Sequence, residues 1–204
     1  MGKILLVGGP ARVGKSTLVK NMRFEVNGQI VAGDAFSHGV RESVTVEQFP
    51  DLFVKEVDKP ELTDPHDQHV DRLRRRDQAM WPFYKNYIQA VAHESDDDLL
   101  MDGNFWPDYL AELEIGHRAV FLVDTSPDRA STLKRIRDDE TATNNWMRER
   151  SYTDEKIELW AQMDKVRSRK IIKLCELYDY TYFDLAIHGM SRAQELAKEY
   201  LLQS

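Results

Sequence analysis

The chain has 204 residues, 42% of them apolar, one cysteine (Cys175) and a formal net charge of −7 at pH 7. This length and composition predict one domain, or one domain with a small lid; the acidic balance argues against a general nucleic-acid-binding protein, and a lone cysteine excludes a disulfide framework. No apolar run approaches the ~20 residues of a membrane span. Taken with the charge and the single cysteine, this predicts a soluble, cytoplasmic protein that binds neither nucleic acid nor membrane.

The first predicted strand, residues 3–8, leads directly into the sequence GPARVGKST at residues 9–17. This sequence matches G-x-x-x-x-G-K-[ST], in which glycines let backbone N–H groups surround a phosphate and the following helix points its positive end at the same anion. We expect Lys15 to reach the β- and γ-phosphates of a nucleotide and Ser16 to ligate Mg²⁺. The expected nucleotide-binding residues are Gly9, Arg12, Val13, Gly14, Lys15, Ser16 and Thr17.

The rest of the chain alternates between apolar runs typical of strands and patterns typical of helices. Further strands are predicted at residues 29–32, 99–101, 119–123 and 181–184. Helices are predicted at residues 16–24, 64–81, 82–93, 107–113, 128–137, 153–178 and 191–202. Residues 37–63 and 138–152 are predicted to be irregular. Five strands alternating with helices predict an α/β fold with a doubly wound, five-stranded parallel sheet.

This organisation resembles the P-loop kinase group that includes nucleoside monophosphate, shikimate and gluconate kinases and related predicted kinases. The resemblance rests on GGPARVGKST at 8–17, on Asp34 at a strand end, on MDGNF at 101–105, on YTYFD at 180–184 and on an arginine-bearing segment before a long helix. It implies a P-loop NTPase fold with a small lid. It also implies transfer of the γ-phosphoryl of ATP, with Mg²⁺, to a hydroxyl or phosphate of a small-molecule acceptor.

The same resemblance implies one domain over residues 1–204, with an acceptor-binding arm at about 37–94 and a lid at about 138–152. Within it, Asp102 ends an apolar strand, where open α/β sheets bind their ligands, and is expected to join Ser16 at the metal. Asp34 is expected to orient or deprotonate the acceptor hydroxyl. The alternative for Asp102 is a turn before Gly103, and the alternative for Asp34 is a turn or a helix cap.

Arginines flank the predicted lid and are candidates to close over the transferring phosphoryl group: Arg135, Arg137, Arg148 and Arg150. Arg135 and Arg148 are the leading candidates, so the predicted catalytic residues are Lys15, Asp34, Arg135 and Arg148. Ion pairing with neighbouring acids on a solvated helix end is the alternative. The basic run at residues 72–76 is interpreted as a solvated helix face rather than an acceptor site, and Arg41 is treated in the same way.

Three other functions remain open, and the intact Lys15 and Ser16 argue against one of them, a nucleotide-binding module without catalysis. A nucleoside or nucleotide kinase is disfavoured because the first arginine after Gly103 is Arg118, whereas adenylate-kinase-like enzymes carry one soon after this turn. A nucleotide-hydrolysing regulator without an acceptor is the second alternative, but the chain lacks N-K-x-D and has Gly103 where motor ATPases carry a glutamate. The sequence does not predict an oligomeric state.

Overall fold

The computed structural model describes residues 2–54, 65–141 and 145–203. Within them, five parallel strands form a sheet of order β2-β3-β1-β4-β5, which confirms the predicted α/β, doubly wound parallel sheet. The strands are β1 (Ile4–Gly8), β2 (Gly28–Ala32), β3 (Asp98–Asp102), β4 (Arg118–Val123) and β5 (Thr181–Asp184). The helices are α1 (Lys15–Met22), α2 (Gly33–Glu42), α3 (His66–Glu94), α4 (Pro107–Leu110), α5 (Arg129–Asp138), α6 (Trp146–Glu149), α7 (Asp154–Tyr178) and α8 (Leu185–Leu202), with a 3₁₀ helix at Pro50–Phe53.

The three inner strands are the continuous apolar runs of the sequence, because both of their faces are covered by helices. One face packs against α3, α4 and α7, and the other against α1 and α8. The pairing register places Asp102 beside Val7 and also beside Ala32. The carboxyl ends of β1, β2 and β3 therefore meet at one edge, where open parallel sheets hold their ligands.

Two segments have more regular structure than the sequence predicts. Residues 33–42, most of them predicted to be irregular, form α2. Helix α3 continues through Pro82 instead of breaking there. Met80 and Trp81 before the proline, and Tyr84 after it, are all buried. Their burial, at about 1.5–3 kcal/mol per large side chain, offsets the ~3 kcal/mol that an internal proline costs a helix.

The predicted lid also has a core of its own. Part of residues 138–152 forms α6, and Met147 and Tyr152 are buried in a small cluster with residues of α5 and α7. The prediction of an entirely irregular segment is therefore wrong for this part. The last helix starts at Leu185 rather than at residue 191, with an interruption at Gly189 (φ 71°). Residues 55–64 of the predicted arm and 142–144 of the predicted lid lie outside the described residues.

No helix among the described residues combines the length and the apolar character that crossing a bilayer requires.

Candidate active site

The loop between β1 and α1 follows a path that only its glycines permit. Gly9 has a φ of 129° and Gly14 a φ of 89°. A Cβ atom on Gly9 would lie 2.0 Å from the carbonyl oxygen of Leu122, so a larger residue has neither the conformation nor the space. Helix α1 starts at Lys15 without a side-chain cap, which leaves its first N–H groups free to bind an anion at the loop.

The Lys15 ammonium lies inside this loop. Its Nζ donates to the carbonyl oxygens of Gly9 at 2.9 Å and of Pro10 at 2.5 Å. Burial and the positive charge of Arg167 lower the pKa of Lys15 to about 8. Three carboxylates oppose this shift in pKa: Asp102, Asp34 and Asp164. A phosphate would replace two neutral carbonyl acceptors with charged ones, which form stronger hydrogen bonds to an ammonium.

The remaining predicted nucleotide-binding residues are placed differently from one another. Val13 is fully buried, so only its backbone can face a ligand, whereas Thr17 is exposed. Arg12 has a φ of 58°, and its guanidinium lies 5.5 Å from the ring centre of Trp146 in the lid segment. The P-loop therefore contacts the predicted lid through Arg12.

The two predicted metal ligands are in direct contact. The Ser16 hydroxyl donates to Asp102 Oδ2 at 2.6 Å. A hydroxyl that donates its proton in this way keeps its lone pairs for a cation, and the two residues together offer hard oxygen ligands. No group of three or more acidic, histidine or cysteine side chains suited to a metal ion occurs among the described residues. This donor set fits Mg²⁺, which takes one or two protein ligands and completes its shell with phosphate and water.

Asp102 also fixes the start of α2. Its Oδ1 accepts from the Gly33 N–H at 2.9 Å, and the Tyr84 hydroxyl donates to the Gly33 carbonyl at 2.8 Å. The Ser37 hydroxyl lies 2.7 Å from that of Tyr84. Gly33 is thus bonded on both its N–H and its C=O, which fixes the position of Asp34, the next residue.

A pocket of about 130 Å³ opens between α2 and α3 beside Asp34. Residues 34, 37 and 41 line it from one face of α2, and residues 76, 77, 80 and 84 from one face of α3, because both sets follow helical spacing. Asn104, after β3, completes the lining. The Asp34 carboxylate makes no hydrogen bond to any described residue. Its negative charge nevertheless acts on the P-loop, because it raises the pKa of Lys15. Asp34 therefore faces the pocket while lying within electrostatic reach of the P-loop.

The basic run at residues 72–76 is not simply a solvated face. The Arg76 side chain is only 18% exposed, and its Nη2 lies 2.7 Å from Asp77 Oδ1. The other oxygen of Asp77 accepts from Arg167 at 2.9 Å and from the Trp106 indole at 3.1 Å. The solvated-face interpretation is wrong for Arg76, because a neighbouring carboxylate supplies its counter-charge. The partly buried Arg76, which lines the pocket, and the buried Arg167 share this one carboxylate, so the three side chains together carry a net positive charge.

The two leading lid arginines, by contrast, contact neighbouring residues of the chain rather than the P-loop. Arg135 is exposed and donates to the Thr132 hydroxyl at 3.3 Å, and the half-exposed Arg148 side chain pairs with Glu140 at 3.2 Å. Neither is hydrogen-bonded or ion-paired with residues 9–17 in the part of the chain that the structure describes. The structure thus brings together Lys15, Ser16, Asp102 and Asp34, but not Arg135 or Arg148.

A buried arginine beneath the loop escaped the sequence analysis. Arg129, the first residue of α5, is completely buried and donates to the backbone carbonyls of Ala11 and Arg12. Asp77 was missed as well, although a signal existed: it falls at a helical-spacing position among the buried residues Val70, Leu73 and Tyr84. A carboxylate in an apolar stripe indicates a buried charge that needs a partner.

No protein-family model matches the chain, and no curated protein matches its sequence. Among solved structures, it is similar to a candidate kinase from Chloroflexus aurantiacus, with 14% identity over 98% of this chain and 96% of the other and a TM-score of 0.48. Shikimate kinase from Bacteroides thetaiotaomicron shows 15% identity, 97% and 94% coverage and a TM-score of 0.44. Dephospho-CoA kinase from Campylobacter jejuni shows 13% identity, 98% and 96% coverage and a TM-score of 0.40. All three are described as kinases, like the group that the sequence resembles, but similarities of this size assign no residue or reaction here.

Proposed function

We propose that the protein is an ATP- and Mg²⁺-dependent phosphotransferase that moves the γ-phosphoryl group of ATP to a hydroxyl of a small, anionic metabolite. The observation that carries this proposal is the position of Asp34. Its carboxylate lines the pocket, makes no hydrogen bond to a described residue and acts electrostatically on Lys15 of the P-loop. A carboxylate between a phosphate-binding loop and an acceptor-sized pocket is suited to phosphoryl transfer to a hydroxyl, because it can accept the hydroxyl proton.

On the nucleotide side, the backbone of residues 9–17 would surround the phosphates. Lys15 would leave the carbonyls of Gly9 and Pro10 for the β- and γ-phosphate oxygens. Ser16 and Asp102 would hold Mg²⁺, which neutralises charge on the phosphates. Two features support this role: the glycines of the loop, Gly9 and Gly14, and the N–H groups at the start of α1, where no side chain caps the helix.

On the acceptor side, the pocket selects by size and charge. A cavity of about 130 Å³ is close to the ~150 Å³ cavity that holds benzene, so the part of the acceptor that enters has roughly the size of a six-membered ring. Arg41 and Arg76 line it from opposite helices. Guanidinium groups bind carboxylate or phosphate with two parallel hydrogen bonds, which favours an anionic acceptor.

The proposed reaction uses this placement. Asp34 accepts the proton of the acceptor hydroxyl as its oxygen bonds to the γ-phosphorus. The bond between the γ-phosphorus and the β–γ bridging oxygen breaks, and ADP leaves with that electron pair.

We also propose that residues 37–94 act as the acceptor-binding arm and residues 138–152 as a lid of the same domain. Closure of the lid would bring Arg135 or Arg148 to the phosphoryl group and exclude water.

The proposal is tested by ADP release with Mg²⁺ and ATP against matched neutral and anionic acceptors, with a no-acceptor control. Suitable pairs are glycerol with glycerate, a hexose with its aldonic acid, and a nucleoside with its monophosphate. We expect release that depends on the anionic member of one pair. Equal release with and without acceptor would instead indicate a nucleotide-hydrolysing regulator.

The charge preference has its own test. Arg41→Gln removes one pocket guanidinium from a partly buried position, whereas Arg192→Gln removes a half-exposed surface guanidinium on α8. We expect Arg41→Gln to raise the KM for the anionic acceptor at least tenfold and to leave the KM for ATP within about threefold. Arg192→Gln should change neither. Preference for the neutral member of the pairs, or no effect of Arg41→Gln, would refute an anionic acceptor.

A further inference from the structure

The completely buried Arg129 connects three distant parts of the chain. Its Nη2 donates to the Ala11 carbonyl at 2.8 Å and its Nη1 to the Arg12 carbonyl at 3.3 Å. Two carboxylates hold the guanidinium in this position. Asp164 on α7 accepts from Nε at 3.1 Å and from Nη2 at 2.8 Å, and Asp124 after β4 accepts from Nη1 at 3.0 Å.

The two carboxylates are themselves fixed. The N–H of Asp124 donates to the Ser168 hydroxyl of α7 at 3.1 Å, and the other oxygen of Asp124 accepts from the N–H of Ser126 at 3.0 Å. Asp164 is itself buried on α7. The end of β4 and helix α7 therefore hold the guanidinium in place. The guanidinium in turn fixes the carbonyl groups of residues 11 and 12.

We propose that Arg129 is a positioning residue that sets the P-loop for phosphate before the nucleotide arrives. In a trans peptide unit the C=O of one residue and the N–H of the next point in opposite directions. Holding the carbonyls of Ala11 and Arg12 toward Arg129 therefore directs the N–H groups of Arg12 and Val13 away from it. These two N–H groups are then available to the phosphates that the proposed function places in the loop.

The proposal requires a guanidinium rather than any buried cation. Arg129 donates to four acceptors, two carboxylates and two carbonyls, and its planar group offers five N–H donors in fixed directions. A lysine has three donors on one nitrogen and cannot span both the carboxylates and the carbonyls. Lysine keeps the charge, so Arg129→Lys separates the geometry of the contact from its electrostatics.

The experiment compares Arg129→Lys with Arg167→Lys, which shortens another buried, carboxylate-paired arginine that donates to Asp77. Backbone ¹⁵N relaxation of residues 11–13 is measured in the ligand-free proteins, and the Kd for Mg·ADP is measured by calorimetry. In Arg129→Lys we expect the order parameters to fall from about 0.85 to below about 0.6, and the Kd to rise at least tenfold. In Arg167→Lys the order parameters of residues 11–13 should not change.

If Arg129→Lys does not fold, the double substitution Arg129→Gln with Asp164→Asn replaces it, because it keeps the net charge of the cluster unchanged. The order parameters of residues 11–13 and the Kd for Mg·ADP are then measured in this variant. Unchanged order in residues 11–13 would overturn the proposal, and so would lost order with an unchanged Kd. If the wild-type protein binds no Mg·ADP, the proposed function fails, whereas the order parameters still decide whether Arg129 sets the loop.

Discussion

The Ser16 hydroxyl donates to Asp102 Oδ2 at 2.6 Å, although 86 residues separate them in the chain. The second oxygen of Asp102 accepts from the Gly33 N–H, next to Asp34. One carboxylate thus joins the P-loop, the end of β3 and the start of α2. The candidate cation ligands and the candidate base are held in one rigid arrangement, which is what the in-line transfer of a phosphoryl group between two substrates needs.

This contact predicts the metal dependence of the reaction. Ser16→Ala removes a candidate Mg²⁺ ligand and leaves Asp102 without its hydroxyl donor, whereas Ser16→Thr keeps the hydroxyl. We expect the Mg²⁺ concentration for half-maximal turnover to rise at least tenfold in Ser16→Ala and to stay close to wild type in Ser16→Thr. A magnesium titration of ADP release measures both variants. Equal behaviour of the two would argue against metal ligation by Ser16.

The second prediction concerns Asp34. Asp34→Asn removes the proton acceptor and keeps the shape of the side chain, so kcat with the anionic acceptor should fall about 10²–10⁴-fold while the affinity for ATP stays within a few-fold. The matched control is Glu42→Gln on the same helix, whose side chain is 72% exposed. Steady-state kinetics and nucleotide calorimetry measure the two effects. Undiminished turnover in Asp34→Asn would remove it from the base role.

The motif and the strands are local in sequence, and for that reason they were predictable. The partners of the buried charges were not, because they are remote in the sequence: Asp77 pairs with Arg167, 90 residues away, and Arg129 with the Ala11 carbonyl, 118 residues away. Even where helical spacing indicates a buried carboxylate, as for Asp77, the sequence does not show which residue neutralises it. The consequence is visible on α7, where the apolar Leu177 is 72% exposed while the charged Asp164 and Arg167 are buried.

Helix α2 shows a second limit. Its sequence contains Gly39 and begins without a side-chain cap, so its local helix propensity is weak. The helix is stabilised by contacts that appear only in the folded chain, among them the bonds from Asp102 and Tyr84 to Gly33. Because α2 carries Asp34, Ser37 and Arg41 to one face, the pocket that they line could not be predicted before this helix was known.

The buried charge at the pocket wall predicts a large loss of stability. Asp77→Ala leaves the buried Arg167, the partly buried Arg76 and the Trp106 indole without their acceptor, so we expect the free energy of unfolding to fall by about 3–5 kcal/mol. Urea denaturation followed by circular dichroism measures it. Asp71→Ala on the same helix removes an exposed partner of Lys170 and should have little effect. Equal stability of the two variants would contradict a network centred on Asp77.

The lid makes a kinetic prediction. Arg148→Ala or Arg135→Ala should lower kcat about tenfold or more without unfolding the protein, because both side chains are exposed and, under the proposed mechanism, would reach the phosphoryl group only after the lid closes. Arg192→Ala serves as the control for loss of an exposed positive charge. Thermal unfolding tests the fold, and acceptor-dependent turnover tests the role. Wild-type kcat in both variants would leave the lid without a catalytic arginine.

The last prediction follows from the state of Lys15. Its pKa of about 8 in the free protein lies below the usual 10.5, so its positive charge is lost as the pH rises through 8. A bound phosphate favours the protonated form, because an ammonium interacts with the anion and a neutral amine does not. Above pH 8 the Kd for Mg·ADP should therefore rise, approaching tenfold per pH unit, and binding should take up a proton.

Calorimetry in two buffers of different ionisation enthalpy measures this uptake. At pH 9 most of the free protein has a neutral Lys15, so the uptake should approach about one proton per ADP bound, whereas at pH 7 it should be small. Lys15→Arg provides the control, because an arginine side chain stays charged across this range. Nucleotide binding at pH 9 without proton uptake would mean either that Lys15 is already charged in the free loop or that it does not contact the phosphates.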